Sequence, residues 1–176
     1  MAYPHLLSPT YMCIPPREIN RCKVDENYGF RAPTGLLGYD NNAWANVQQD
    51  LIGELRIFWG EYVDLFGDYE RVFSIHNPHI FFETEGPTPL ENWMSMPDMC
   101  HLIASKYNVA LHLFSYEHCL PFLPLHFIPP PGHECITIAI RFVNGNHFVQ
   151  LALTDDYLMP PTMIQWFRYR YDFVNE

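Results

Sequence analysis

Two apolar runs, residues 136–142 (ITIAIRF) and 147–153 (HFVQLAL), are joined through Asn144-Gly145, and this arrangement restricts the fold more than any other stretch of the chain. Asn-Gly is the strongest short hairpin signal, because both residues tolerate the positive φ that a tight turn between right-twisted strands requires. The reading is an antiparallel strand pair. Upstream, residues 109–115 (VALHLFS) carry apolar side chains at odd and even positions alike. That pattern suits a central strand covered on both faces, so helices must lie to either side of the sheet. Residues 117–134 hold Pro121, Pro124 and Pro129 to Pro131. Proline cannot donate to a ladder, so this stretch is a loop or an edge segment.

The helices follow from period. Trp44, Val47, Leu51, Leu55 and Phe58 recur at spacings of three and four and predict a helix over about residues 43–59, with Asn41-Asn42 as its cap. Gly60 should weaken its continuation through Tyr62, Val63, Leu65 and Phe66, and Gly67-Asp68 should end it. A short helix is expected over 29–37, with Pro33 either in its first turn or breaking it. Another short helix follows Tyr69, and one begins at Pro97-Asp98, presents Met99, Leu102, Ile103 and Tyr107 on one face, and stops at Asn108. The tail from Pro160 carries Trp166, Phe167, Tyr169 and Tyr171 and is expected to close over the sheet. Residues 1–19, with Pro4, Pro9, Pro15 and Pro16 and no period, read as an extended arm. Residues 20–176 then form a single α/β (α+β) domain: a mostly antiparallel central sheet flanked by helices.

Composition narrows the function classes. With 48% hydrophobic and 17% charged residues the chain reads as globular. Twenty acidic against ten basic residues give a formal charge of −10, which repels phosphate backbones and argues against a nucleic-acid partner. A protein partner with basic character is the natural expectation. Five cysteines without paired spacing do not describe a disulfide framework, and the first residues lack the basic and apolar regions of a signal peptide. No apolar run reaches the length needed to span a bilayer. The expectation is an intracellular protein, cytoplasmic or nuclear, without a membrane contact; the oligomeric state stays open.

The chemistry-bearing stretch is Val24-Asp25-Glu26-Asn27-Tyr28-Gly29-Phe30-Arg31-Ala32. An acidic residue and a polar turn leading into a helix would put residue 28 at a helix N-terminus, where backbone N–H groups favour an anion and a reactive thiolate would be stabilised. The second stretch, 119 residues later, is Asn144-Gly145-Asn146-His147-Phe148. Between them stand Trp93-Met94-Ser95-Met96-Pro97 and Ile103-Ala104-Ser105-Lys106-Tyr107-Asn108-Val109. In this order, over roughly residues 20–166, the three resemble ovarian tumour (OTU) cysteine proteases, whose turn usually reads Asp-Gly-Asn-Cys and whose histidine strand reads Asn-His-aromatic.

The resemblance implies an OTU-like papain-type fold and, position by position, Asp25 in the turn, Tyr28 at the nucleophile position and His147 as the general base. Glu26, Asn27, Asn146 and Phe148 flank these and are assigned to binding. Two departures oppose hydrolysis. A phenol ionises near 10 against about 8.5 for a thiol, and its ring displaces the attacking atom. Glu26 replaces the glycine of the turn, and a carboxylate there opposes the negative charge of an oxyanion. Val149 stands where some members place a group that orients the histidine. The expected function is a catalytically inactive, pseudo-deubiquitinase-like module that binds a protein, ubiquitin or a ubiquitin-like protein being the implied class. The alternatives are an active OTU-type cysteine deubiquitinase using another thiol, for which Cys22 is the candidate, and a structural or assembly subunit.

His118, Cys119, His126, His133 and Cys135 have metal-ligand side chains, but their irregular spacing lacks the tight pairs of zinc sites. An ordinary proline-rich loop is the expectation, with no metal and no cofactor.

Overall fold

In the computed structural model the described residues are 17–21, 28–77, 97–115, 119–128, 134–143, 147–154 and 159–172. The strands are β1 (Arg17–Arg21), β2 (Ala110–Phe114), β3 (Cys119–Phe122), β4 (Thr137–Val143) and β5 (His147–Ala152). They form one five-stranded sheet in the order β1-β5-β4-β2-β3. The helices are α1 (Tyr28–Leu36), α2 (Trp44–Ile57), α3 (Trp59–Phe66), α4 (Tyr69–His76), α5 (Asp98–Tyr107) and α6 (Ile164–Tyr169).

The hairpin is present as expected. β4 and β5 pair antiparallel from Ala139↔Leu151 to Val143↔His147, and residues 144–146 between them lie outside the described set. β2 runs parallel to β4 and is buried at all five positions, which matches its two-sided apolar pattern. β3 pairs antiparallel with β2, placing Pro121 opposite His112 on an edge strand, where a missing donor is tolerated. Three of the four strand pairings are antiparallel. The expected arm needs correction at its end: Arg17–Arg21 is not an arm but the other edge strand, paired with β5. After Pro16 the sequence Arg-Glu-Ile-Asn-Arg retains every backbone donor, so it can extend a ladder.

Strand alternation divides the core. Leu111, Leu113, Ile138, Ile140 and Phe148 face the helices and join Val47, Leu51, Leu55, Leu102 and Ile103 in the larger cluster. Phe114, Ala139, Val149 and Leu151 make a smaller cluster on the opposite face. Each fully buried Leu, Ile or Val is worth about 1.5–3 kcal/mol in transfer terms, and this burial holds the helices to the sheet.

Local chemistry set some boundaries differently from the sequence expectation. The long helix breaks at Phe58 (φ −107°, ψ 30°), not at Gly60, and restarts as α3. Gly67 ends α3 in the left-handed region at φ 73°. The cap expected at Asn41-Asn42 belongs to Asp40, whose carboxylate accepts from Asn42 N–H (2.8 Å) and starts a 3₁₀ turn ahead of α2. Pro33 lies inside α1, past its first turn. α5 begins and ends where the sequence placed it, closed by Asn108 at φ 51°. The tail does not close over the sheet: α6 docks on the segment after β3, with Trp166 Nε1 donating to Pro124 O (2.9 Å) and Tyr171 N to Leu125 O (3.0 Å).

Candidate functional site

Tyr28 and His147 each open an element: Tyr28 is the first residue of α1 and His147 the first of β5. Those two elements are docked. Gln150, buried at 5% exposure, donates through Nε2 to Ala32 O at 3.0 Å, a bond from the middle of β5 to the middle of α1. Ala32 lies one turn after Tyr28 and is fully buried. The first turn of α1 is further set by Thr34, whose hydroxyl donates to Phe30 O at 2.6 Å. β1 ends at Arg21, paired with Val149, so the chain leaves the sheet beside the start of β5 before returning as α1. For Tyr28 and His147 only the backbone is described, and Cys22, Asp25, Glu26, Asn27 and Asn146 lie outside the described residues.

Phe148 takes a different position from the binding role expected of it. It is 3% exposed, sits in the larger core cluster and lies 4.9 Å from the Phe142 ring across the hairpin. A buried and a partly buried ring in register gain more from packing on each other than an exposed binding ring would. Val149 is buried on the other face of the sheet.

A polar cluster that the sequence reading missed lies between α2, α3, the segment after β3 and the tail. His126, with its side chain 2% exposed, places Nδ1 3.1 Å from Glu54 Oε1 and Nε2 2.9 Å from Glu61 Oε2. Among the described residues Glu61 Oε2 nonetheless has no hydrogen-bond donor. Tyr62 donates its hydroxyl to Glu54 Oε1 (3.2 Å), and Tyr171 donates to Glu61 Oε1 (2.7 Å). Phe58, at the helix break, stacks on the imidazole at 3.9 Å. Burial, and then the Glu54 charge, raises the Tyr62 phenol well above its ordinary range, while the bond to Glu61 pushes Tyr171 up to about 12. Both phenols therefore act as donors to carboxylates. A signal for this cluster was present: Glu54 falls three residues after Leu51 and seven after Val47, a carboxylate on the apolar stripe of α2 that must find a buried partner.

Of the residues with metal-ligand side chains, His126 is thus engaged by carboxylates, and His118 and His133 lie outside the described residues. Cys119 opens β3 and Cys135 precedes β4, and both are partly buried. Among the described residues no group of three or more His, Cys, Asp and Glu side chains is arranged to hold a metal ion. Cys100 is fully buried, and burial pushes its thiol well up, the opposite of what a nucleophile needs. Among the described residues no helix is long and apolar enough to cross a membrane.

No protein-family model matches the chain, and no curated protein matches it. A solved structure does: the viral OTU domain protease from Dera Ghazi Khan virus, at a TM-score of 0.50 and 12% identity, over 80% of this chain and 81% of that one. At that identity the likeness concerns the path of the chain, and it agrees with the mixed sheet and flanking helices described above: the fold is OTU-like.

Proposed function

We propose that this chain is an inactive, OTU-like pseudo-deubiquitinase domain that binds a protein partner, ubiquitin or a ubiquitin-like protein, where α1 begins beside the start of β5. The observation that carries this reading is the residue at the head of α1. A helix N-terminus docked on a histidine-led strand is where an OTU-type protease would keep its thiolate, and here the residue is Tyr28. A phenol that ionises about 1.5 pH units higher than a thiol, and whose oxygen stands a ring away from the backbone, is a poor substitute in amide hydrolysis. Glu26, two residues before Tyr28 in the sequence, adds a charge of the wrong sign for an oxyanion. Without a nucleophile, the role left to such a site is binding, and its sequence carries the acidic residues Asp25 and Glu26. The net charge of −10 favours a partner with a basic face, and five cysteines without paired spacing suit a reducing compartment, the cytoplasm or nucleus.

The test is to titrate the protein with ubiquitin by calorimetry, and separately to incubate it with ubiquitin chains and with ubiquitin bearing an electrophilic C-terminus. Saturable binding with neither cleavage nor adduct is expected. Cleavage that disappears in Cys22→Ala would replace this reading by an active protease with a displaced thiol. Absence of both binding and cleavage, with ubiquitin and with ubiquitin-like proteins, would refute a ubiquitin-directed module.

A further inference from the structure

The face of the molecule around α3 carries two patches of opposite character. On one side, the break between α2 and α3 opens a depression of about 500 Å³ whose walls include Ile57, Trp59 and Tyr69, with Glu61 and Asp64 as its charged groups. Ile57 is 72% exposed and Tyr69 58%, and the apolar wall continues through ring contacts from Trp59 to Tyr69 (5.6 Å) and Tyr69 to Phe73 (6.4 Å). On the other side α6 packs against α3 and exposes Ile164 (78%) and Phe167 (56%). Its charges are cationic: the Arg170 guanidinium lies 4.2 Å from the Trp166 ring centroid and 4.8 Å from that of Phe167, and Arg168 lies over Tyr169. Together the patches leave the side chains of Ile57, Tyr69, Phe73, Ile164 and Phe167 exposed on one face, large apolar groups that a partner surface would cover.

We infer that the occupant of this face is a second copy of the same chain, with α6 of each protomer seated in the α2–α3 depression of the other. Three observations favour a copy over an unrelated partner. The two patches are complementary in charge, a hollow with Glu61 and Asp64 and a ridge with Arg168 and Arg170. They flank one helix, joined by the Tyr171 hydroxyl bond to Glu61, so a single two-fold axis beside α3 brings both pairs together at once. Both patches are already shaped: Phe58 is fixed on His126, and Trp166 on Pro124, so little ordering is needed on association. In this arrangement the Arg168 of each protomer meets the Asp64 of the other. The surface lies about one α2 length, roughly 20 Å, from the end of that helix on which α1 packs, so dimerisation leaves the head of α1 accessible.

Sedimentation velocity from low micromolar to submillimolar concentration tests this directly. The wild-type chain should show a reversible monomer–dimer equilibrium. Asp64→Arg or Arg168→Asp alone should weaken it by roughly tenfold or more, and the two together, which restore the opposite charges with their places exchanged, should recover most of the loss. Ile164→Ser, at a position too exposed to disturb folding, should also weaken the dimer with the melting temperature unchanged. A chain that stays monomeric throughout would overturn the inference. So would a dimer indifferent to Ile164→Ser and to both charge changes.

Discussion

His112 stands in the middle of the central strand β2 at 2% exposure, and burial lowers its pKa to about 4. His101, on α5, is set edge-on against Phe122 at 4.8 Å and is likewise lowered to about 4, burial outweighing the Asp98 carboxylate that opposes it. Both rings are neutral in the fold, whereas in the unfolded chain they take up a proton near pH 6.5. Between about pH 6.5 and 4 the unfolded state therefore binds more protons, and stability falls as pH falls through that window. Their contribution is fully present above pH 6.5. Each pH unit descended within the window removes up to about 1.4 kcal/mol per histidine. Urea unfolding at pH 7 and pH 5 should show the loss, and His112→Leu should shrink it; an unchanged difference in that variant would mean that His112 is not a buried neutral ring. At this scale the sequence is legible where a residue's neighbours in the chain decide its place. Asn108 and Gly67 were readable as helix ends because left-handed backbone is a local requirement. Phe148 was not, because an aromatic beside a histidine looks the same in a binding site and in a core, and only the strand register opposite Phe142 decides.

Helices α2 and α3 show how elements depart from period alone. The apolar stripe is continuous across them, but the stacking of Phe58 on His126 holds residue 58 outside the helical region, and no periodicity announces a contact with a residue 68 positions away. Gly60, expected to be the weak point, lies inside α3 with ordinary backbone, and a methyl group added there or at Gly53 in α2 would meet nothing within 4 Å. Gly53→Ala and Gly60→Ala should therefore each stabilise the fold by about 0.5–1 kcal/mol, since alanine loses less backbone entropy in a helix. Gly67→Ala should do the opposite by a similar amount, because φ at 73° strains any L side chain. Denaturant midpoints of the three variants decide the matter: stabilisation by Gly67→Ala would contradict the left-handed cap.

Across the whole molecule, what could be read from the sequence is what forms locally: the hairpin, the covered strand β2, the proline-bearing edge β3 and helix α5. Less legible were the long-range closures, β1 joining β5 and the tail crossing to α3, because nothing near Arg17 or Tyr171 in the chain names its partner. The candidate site was legible as positions, 28 and 147 at the heads of two elements, whereas the bond that docks those elements joins Gln150 to Ala32 across 118 positions. His126 stands at another such closure, with Glu54 of α2 and Glu61 of α3 at 3.1 and 2.9 Å from its two ring nitrogens, and Glu61 in turn accepts from Tyr171. Removing the imidazole leaves a buried carboxylate short of a partner: in His126→Ala, Glu54, itself 3% exposed, would keep among the described residues the Tyr62 hydroxyl. The expected cost is about 3–5 kcal/mol, enough to unfold a marginal domain. Replacing Glu54 and His126 together by leucine should cost distinctly less than the sum of Glu54→Leu and His126→Leu, because the pair then leaves no buried charge behind. Tyr171→Phe should cost only about 1 kcal/mol, the ordinary worth of one hydrogen bond, and should loosen the tail before the rest of the fold. Urea unfolding of these five variants, with amide exchange followed along α6, measures these terms. If His126→Ala costs under about 1 kcal/mol, or the Glu54 and His126 effects simply add, the cluster is not the closure that joins the two helices to the tail.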